Sequence, residues 1–193
     1  MTATLDNPGD KVTAPCKLAH VVLRTSNFNK MRDFYLKFLG ATVSFENELM
    51  ALLTYDDEHH RLGIINIPDL AAKNPGTCGL EHIAFTYSDL QTLALVYLQR
   101  QKHGIERFWC INHGPSISVY THDPDGNILE SQVDCMTVEG ATGFMTSDVY
   151  QTNPIGVDFE MKDLINRLKS GESEDEIKKR PTSGPRGIDS VPA

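Results

Sequence analysis

The 193-residue chain lacks three things that would each have opened a class of function. It has no long hydrophobic run: Leu93 to Leu98 is the longest clean one, far short of a bilayer span, so no membrane role is expected. It has no basic excess. Lys and Arg number 18 against 26 Asp and Glu, a net charge of −8, which argues against nucleic-acid or anionic-membrane binding. It is also poor in cysteine. Cys16, Cys78, Cys110 and Cys135 are widely spaced with no CxxC, so they read as reduced, mostly buried thiols rather than as a Cys metal site. Residues 1–15 show no basic-then-apolar signal pattern, and a cytoplasmic protein is expected.

What is present is a repeat. Leu18-Ala-His20-Val-Val-Leu23 precedes Ser26 and a helical pattern, and Leu80-Glu-His82-Ile-Ala-Phe85 precedes Ser88 and another. His20 to His82 and Ser26 to Ser88 share one offset, 62 residues. Agreement of strand, cap and helix under one offset marks a duplicated unit. The spacing of Phe28, Met31, Tyr35 and Phe38 predicts a helix over Asn27–Leu39, capped by Ser26 and stopped by Gly40. A second helix is predicted over Asp89–His103, capped by Ser88 and stopped by Gly104. Three short β-like runs follow each helix, so each half reads β-α-β-β-β. The expected fold class is α+β: two such modules, 16–70 and 78–135, forming a curved mixed sheet around a metal-binding cleft. Residues 1–15 are expected to be disordered. Residues 136–193 form a C-terminal extension with a helix, carried by the stripe Met161, Leu164, Ile165 and Leu168, and a flexible tail.

The repeat places His20 and His82 equivalently, at the start of each module's first strand. A turn centred near Asp125 sets Tyr120 opposite Glu130 across a hairpin. Two imidazoles and one carboxylate on strands lining one cavity form the donor set of a divalent metal with open positions, as in non-haem Fe(II) oxygenases. Singly, each has a plainer reading: a strand-end His is usually a satisfied imidazole, and a last-strand Glu usually faces solvent. His59, beside His60, is expected to face the opposite way on extended backbone. Phe108 and Trp109 read as packing or as walls of an aromatic pocket.

The strings around His20 and His82, the Phe34-Tyr35 and Leu39-Gly40 pairs, and Tyr120-x-x-Asp123-Pro-Asp-Gly-Asn127-x-x-Glu130 together resemble the vicinal oxygen chelate superfamily over residues 16–135. The resemblance is nearest to its extradiol ring-cleavage dioxygenases of the biphenyl-2,3-diol type. It implies Fe(II), with Mn(II) accepted by the same ligands, on His20, His82 and Glu130. It implies catalytic roles for His60, Tyr120 and His113, although the seven-residue spacing from His113 to Tyr120 is shorter than the family pattern. It implies a small aromatic diol and O2 as substrates, and a homo-oligomer. A glyoxalase-type metal-dependent lyase or isomerase remains open, as does a metal-free binding or resistance protein. A glyoxalase-like site takes a donor from the last strand of both modules. Under an offset of 62 to 64, Glu130 maps back to Asn66, Ile67 or Pro68, and none is a carboxylate.

Overall fold

A computed structural model describes residues 4–192. The expectation of disorder for residues 1–15 falls in part on residues 1–3, and that of a flexible tail in part on residue 193; these lie outside the described residues. Residues 4–20 carry no helix or strand and are exposed.

The first module runs β1 (Val21–Thr25), α1 (Phe28–Leu39), β2 (Thr42–Glu46), β3 (Met50–Thr54) and β4 (Leu62–Asn66). The second runs β5 (His82–Thr86), α2 (Leu90–Lys102), β6 (Arg107–Asn112), β7 (Ser116–His122) and β8 (Ile128–Asp134). Both are β-α-β-β-β. The α+β architecture is as expected, and among the described residues the strands form two mixed sheets, ordered β1-β4-β3-β2 and β5-β8-β7-β6-β9. In each, the helix carries the chain across the sheet face, so the first strand returns parallel to the fourth while the others pair antiparallel.

The helices form for the reasons their spacing suggests, with caps one residue later than expected. Met31, Tyr35 and Phe38 are buried on one face of α1, and Gly40 ends it in the left-handed region at φ 62°. Asn27, not Ser26, is the N-cap, and its side chain instead donates to Asp125 Oδ1 at 2.8 Å, across the module boundary. Asp89, not Ser88, caps α2, its carboxylate accepting from Thr92 N at 2.7 Å; the Ser88 hydroxyl donates to that carboxylate.

The extension adds α3 (Val138–Met145), α4 (Asp148–Thr152), the two-residue β9 (Val157–Asp158), α5 (Met161–Lys169) and α6 (Glu174–Lys178). Strand β9 pairs with β6. Met161, Leu164 and Leu168 are buried with Leu90, Leu93 and Ala94 of α2, so the apolar stripe of α5 docks on the second module. The cysteines correct the expectation of mostly buried thiols. All four are free, but Cys16 and Cys78 are exposed, because they lie in the irregular segments before β1 and β5. No helix among the described residues is long and apolar enough to cross a membrane.

Candidate active site

The register of β8 organises the site. Tyr120 and Glu130 are direct cross-strand partners, as the turn chemistry implied. On its other side Glu130 sits opposite Ala84, two residues along β5 from His82, so both side chains emerge from one face. Their groups meet: His82 Nε2 lies 3.0 Å from Glu130 Oε2. The carboxylate is 5 % exposed, and its ion-pair partner among the described residues is this imidazole. A buried carboxylate oxygen against a ring nitrogen is a donor pair suited to a divalent cation.

His113 joins this group from the β6–β7 turn. Its Nε2 is 3.1 Å from the Tyr120 hydroxyl, and its Nδ1 meets the Ile155 carbonyl. Burial lowers its pKa, opposed by the Ile155 contact and the Glu130 charge and assisted by Arg180 and His82. Burial, then the Glu130 carboxylate, holds the Tyr120 phenol well above its usual range, so it stays protonated. The short spacing between His113 and Tyr120 does not separate them: the His113 ring reaches from the turn to the Tyr120 hydroxyl, which lies four residues along β7 opposite Trp109. Trp109 stacks on Tyr120 at 4.9 Å and stands edge-on to His113, and Phe108 lies 6.2 Å from Tyr120. These rings form an apolar wall beside the donor pair.

The first module holds the remaining candidates. His20 lies just before β1, exposed, with its ring stacked on that of His60 at 4.3 Å. His60 is buried; burial lowers its pKa, with the His20 and His59 rings adding to the effect. His59 is exposed as expected but does not turn away. Residues 56–59 are a bend, not a strand, and His59 Nδ1 lies 2.6 Å from His60 Nδ1. The alternation argument fails because it holds only on extended backbone. The structure thus assembles His82, Glu130, Tyr120 and His113 around β8, and His20 with His60 at the β1–β4 edge. Among the described residues, no three His, Cys, Asp or Glu side chains stand close enough to hold one ion. A cavity of about 580 Å³ runs along β1, residues 70–73 and the 124–127 turn, and its lining includes none of the six candidates.

The register also corrects the mapping of the fourth donor. Glu130 opposes Ala84 of β5, whose counterpart in β1 is Val22, and Val22 opposes Gly63. The equivalent of Glu130 is therefore Gly63, not residues 66–68. The segments between helix and last strand differ in length between modules, so the offset is 67 at β4 rather than 62. The conclusion survives: a Cβ at Gly63 would lie 3.2 Å from Val22 Cγ2, and no carboxylate stands there. One contributor went unread in the sequence, the Ile155 carbonyl that orients His113. A backbone acceptor carries no residue-type signal.

The model of the Glyoxalase/Bleomycin resistance protein/Dioxygenase superfamily matches residues 17–131. The chain belongs to that superfamily. Biphenyl-2,3-diol 1,2-dioxygenase 2 of Rhodococcus globerulus is 40% identical over 168 residues, 86% of this chain and 88% of its own. Biphenyl-2,3-diol 1,2-dioxygenase 3 of the same organism is 40% identical over 172 residues, 88% of this chain and 90% of its own. Among solved structures, a lactoylglutathione lyase of Agrobacterium tumefaciens superposes with TM-score 0.51 at 18% identity, covering 63% of this chain and 96% of that one. At that identity the likeness speaks for the fold alone. The match ends before the extension, which the two Rhodococcus relatives share by length.

Proposed function

We propose that this superfamily member is an extradiol-type dioxygenase that opens a catechol-like ring with O2, using Fe(II). The observation that carries the reading is the His82–Glu130 contact at 3.0 Å beside the Tyr120–His113 pair, in a chain 40% identical to two biphenyl-2,3-diol dioxygenases over most of its length. His82 and Glu130 would hold the metal, with His20 as third donor from the first module. Mn(II) would fit the same donors. When bound, the metal supplies Lewis acidity toward the diol and electronic coupling between diol and O2.

The chain's own groups do the rest. Tyr120 offers its phenol oxygen to a substrate hydroxyl and, being held protonated, does not compete as a second anion. His113 orients Tyr120. Trp109 and Phe108 exclude water from the ring's flank and stack against an aromatic face. His60, held neutral by burial, is the acid–base group of the first module. Gly63 supports this reading over the glyoxalase type, which would use a fourth protein donor where Gly63 and Val22 stand.

The test is O2 uptake by protein loaded anaerobically with Fe(II), against biphenyl-2,3-diol and simpler catechols, with His82→Ala as control. Uptake with a yellow ring-opened product, lost in the control, is expected. Stoichiometric metal without uptake on any diol would overturn the dioxygenase reading in favour of non-redox chemistry, and no bound metal would favour a binding protein.

A further inference from the structure

The extension after Cys135 lies outside the paired modules, yet two of its arginines reach the Tyr120–His113 pair by separate routes. The first route runs through Trp109. Strand β9 lies against β6, with Asp158 opposite Ile111. Asp158 Oδ1 accepts from Trp109 Nε1 at 2.8 Å, and the indole stacks on Tyr120 with an interplanar angle of 27°. Arg186 holds Asp158 with both prongs, at 2.7 Å to Oδ1 and 3.0 Å to Oδ2, and its guanidinium lies 5.9 Å from the centre of the Trp109 ring. The carboxylate is thereby fixed, and with it the plane of the indole.

The second route runs through the 153–156 loop. Asn153 is 2 % exposed. Its Oδ1 accepts from the N–H groups of Ile155 and Gly156, and its Nδ2 donates to the Gly156 carbonyl and to Ser183. Arg180 donates to the Asn153 and His113 carbonyls at 2.7 and 3.0 Å. The loop so clamped aims the Ile155 carbonyl at His113 Nδ1. A carbonyl can only accept, so the His113 proton sits on Nδ1. In the neutral ring Nε2 is then a lone pair, so the Tyr120 hydroxyl faces two internal acceptors, this nitrogen at 3.1 Å and the Glu130 carboxylate. With its one proton spent on either of them and no donor offered by His113 Nε2, the Tyr120 oxygen is left to accept from a substrate.

We propose that residues 153–190 are a positioning strap for the site: Asn153 and Arg180 set the His113 tautomer, Arg186 and Asp158 set the Trp109 and Tyr120 rings, and Tyr120 is thereby made a hydrogen-bond acceptor for a substrate hydroxyl. This rests on the proposed dioxygenase reading for its consequence in turnover, but not for its geometry. A strap that merely stabilised the fold would leave the tautomer and the turnover of folded protein untouched.

The experiment uses the full chain and two readouts independent of turnover. Trp109 is the only tryptophan in the sequence, so intrinsic emission reports the first route directly. Side-chain ¹⁵N spectra, with His113→Gln for assignment, report the second. The wild-type His113 is expected as the Nδ1–H tautomer, and Asn153→Ala is expected to convert it in part to Nε2–H. Arg186→Met is expected to shift Trp109 emission to the red and lower kcat about ten- to hundredfold, with KM changing far less. Arg186→Lys keeps the charge without the fork; it is expected in between and serves if the methionine variant does not fold. An Nε2–H wild type, an unmoved tautomer in Asn153→Ala, or unchanged emission and kcat in folded Arg186 variants would overturn the strap. If emission and tautomer respond as stated while no diol is cleaved even by the wild type, the strap's positioning role stands and the dioxygenase reading falls.

Discussion

Glu130 shows what a single side chain carries here. Its carboxylate is buried against His82 and Tyr120, so its charge must be matched locally or lost. Glu130→Gln keeps size and removes the anion. We expect bound metal to fall below stoichiometric, measured by elemental analysis after desalting, and ring-cleavage activity to disappear. A variant with full metal and full turnover would remove Glu130 from the ligand set. His113 gives a pH dependence. Burial holds its folded pKa below the ordinary 6.5, so below pH 6.5 the unfolded chain takes up a proton that the folded chain refuses. Its share of stability is therefore complete above 6.5 and is lost as the pH falls toward the depressed folded value. The Tm of metal-free protein is expected to drop from pH 7 to pH 5, with a shallower slope in His113→Gln. His60 is shifted the same way, so the slope is reduced and not abolished. Among residues, His20, His82, Glu130 and Tyr120 could be picked out because a repeat and a turn index them. The His113 contact to Ile155 could not, because it depends on a loop 42 residues away.

At the scale of elements, periodicity and glycine account for most of the fold. The faces of α1 and α2 and the strand runs follow from apolar spacing, and Gly40 and Gly104 close the helices at φ 62° and 70°. Both caps sit one residue later than expected: Asp89 takes the α2 terminus by accepting from Thr92 N, whereas Asn27 stands at the α1 terminus with its side chain spent on Asp125. Gly156 shows an element decided by its neighbours. Its φ is 128°, and a Cβ there would lie 2.5 Å from the Asn112 carbonyl oxygen of β6. Gly156→Ala is expected to cost about 1–3 kcal/mol in denaturant unfolding through strain alone. It should also displace β9 and so redden the emission of Trp109. Unchanged stability would mean that β9 does not pack this closely in solution.

At the scale of the molecule, the two sheets share no strand pairing among the described residues, and side chains join the modules. Ile83, Phe85 and Leu129 of the second module pack with Leu23, Phe38 and Ile64 of the first. Arg100 of α2 is buried without a carboxylate partner among the described residues. It donates to the Phe38 carbonyl at the end of α1, to Ser131 Oγ beside Glu130 and to the Tyr87 hydroxyl, with its guanidinium 3.5 Å over the Phe38 ring. Burial lowers its pKa to about 10, so it stays charged at neutral pH. Arg100→Met leaves no opposite charge stranded but orphans a buried carbonyl, a loss of about 1–3 kcal/mol. We expect a lower denaturant midpoint together with weaker metal binding, since the module carrying His20 is no longer tied to the one carrying Glu130. Loss of stability with unchanged metal affinity would show that Arg100 does not set the spacing between modules.

The sequence by itself determined the paired β-α-β-β-β modules, their helix faces and the Tyr120–Glu130 register, because these depend on local periodicity and on one turn. Only the tertiary structure decided the rest. It ordered the strands within each sheet, put Gly63 where a fourth donor would stand, paired His82 with Glu130 and His20 with His60, and set the extension against Trp109 and His113. Each of these is a contact between segments far apart in the chain, made by backbone carbonyls, ring stacking and buried arginines. The cost and gain of such contacts depend on what surrounds them once folded, which residue spacing does not encode.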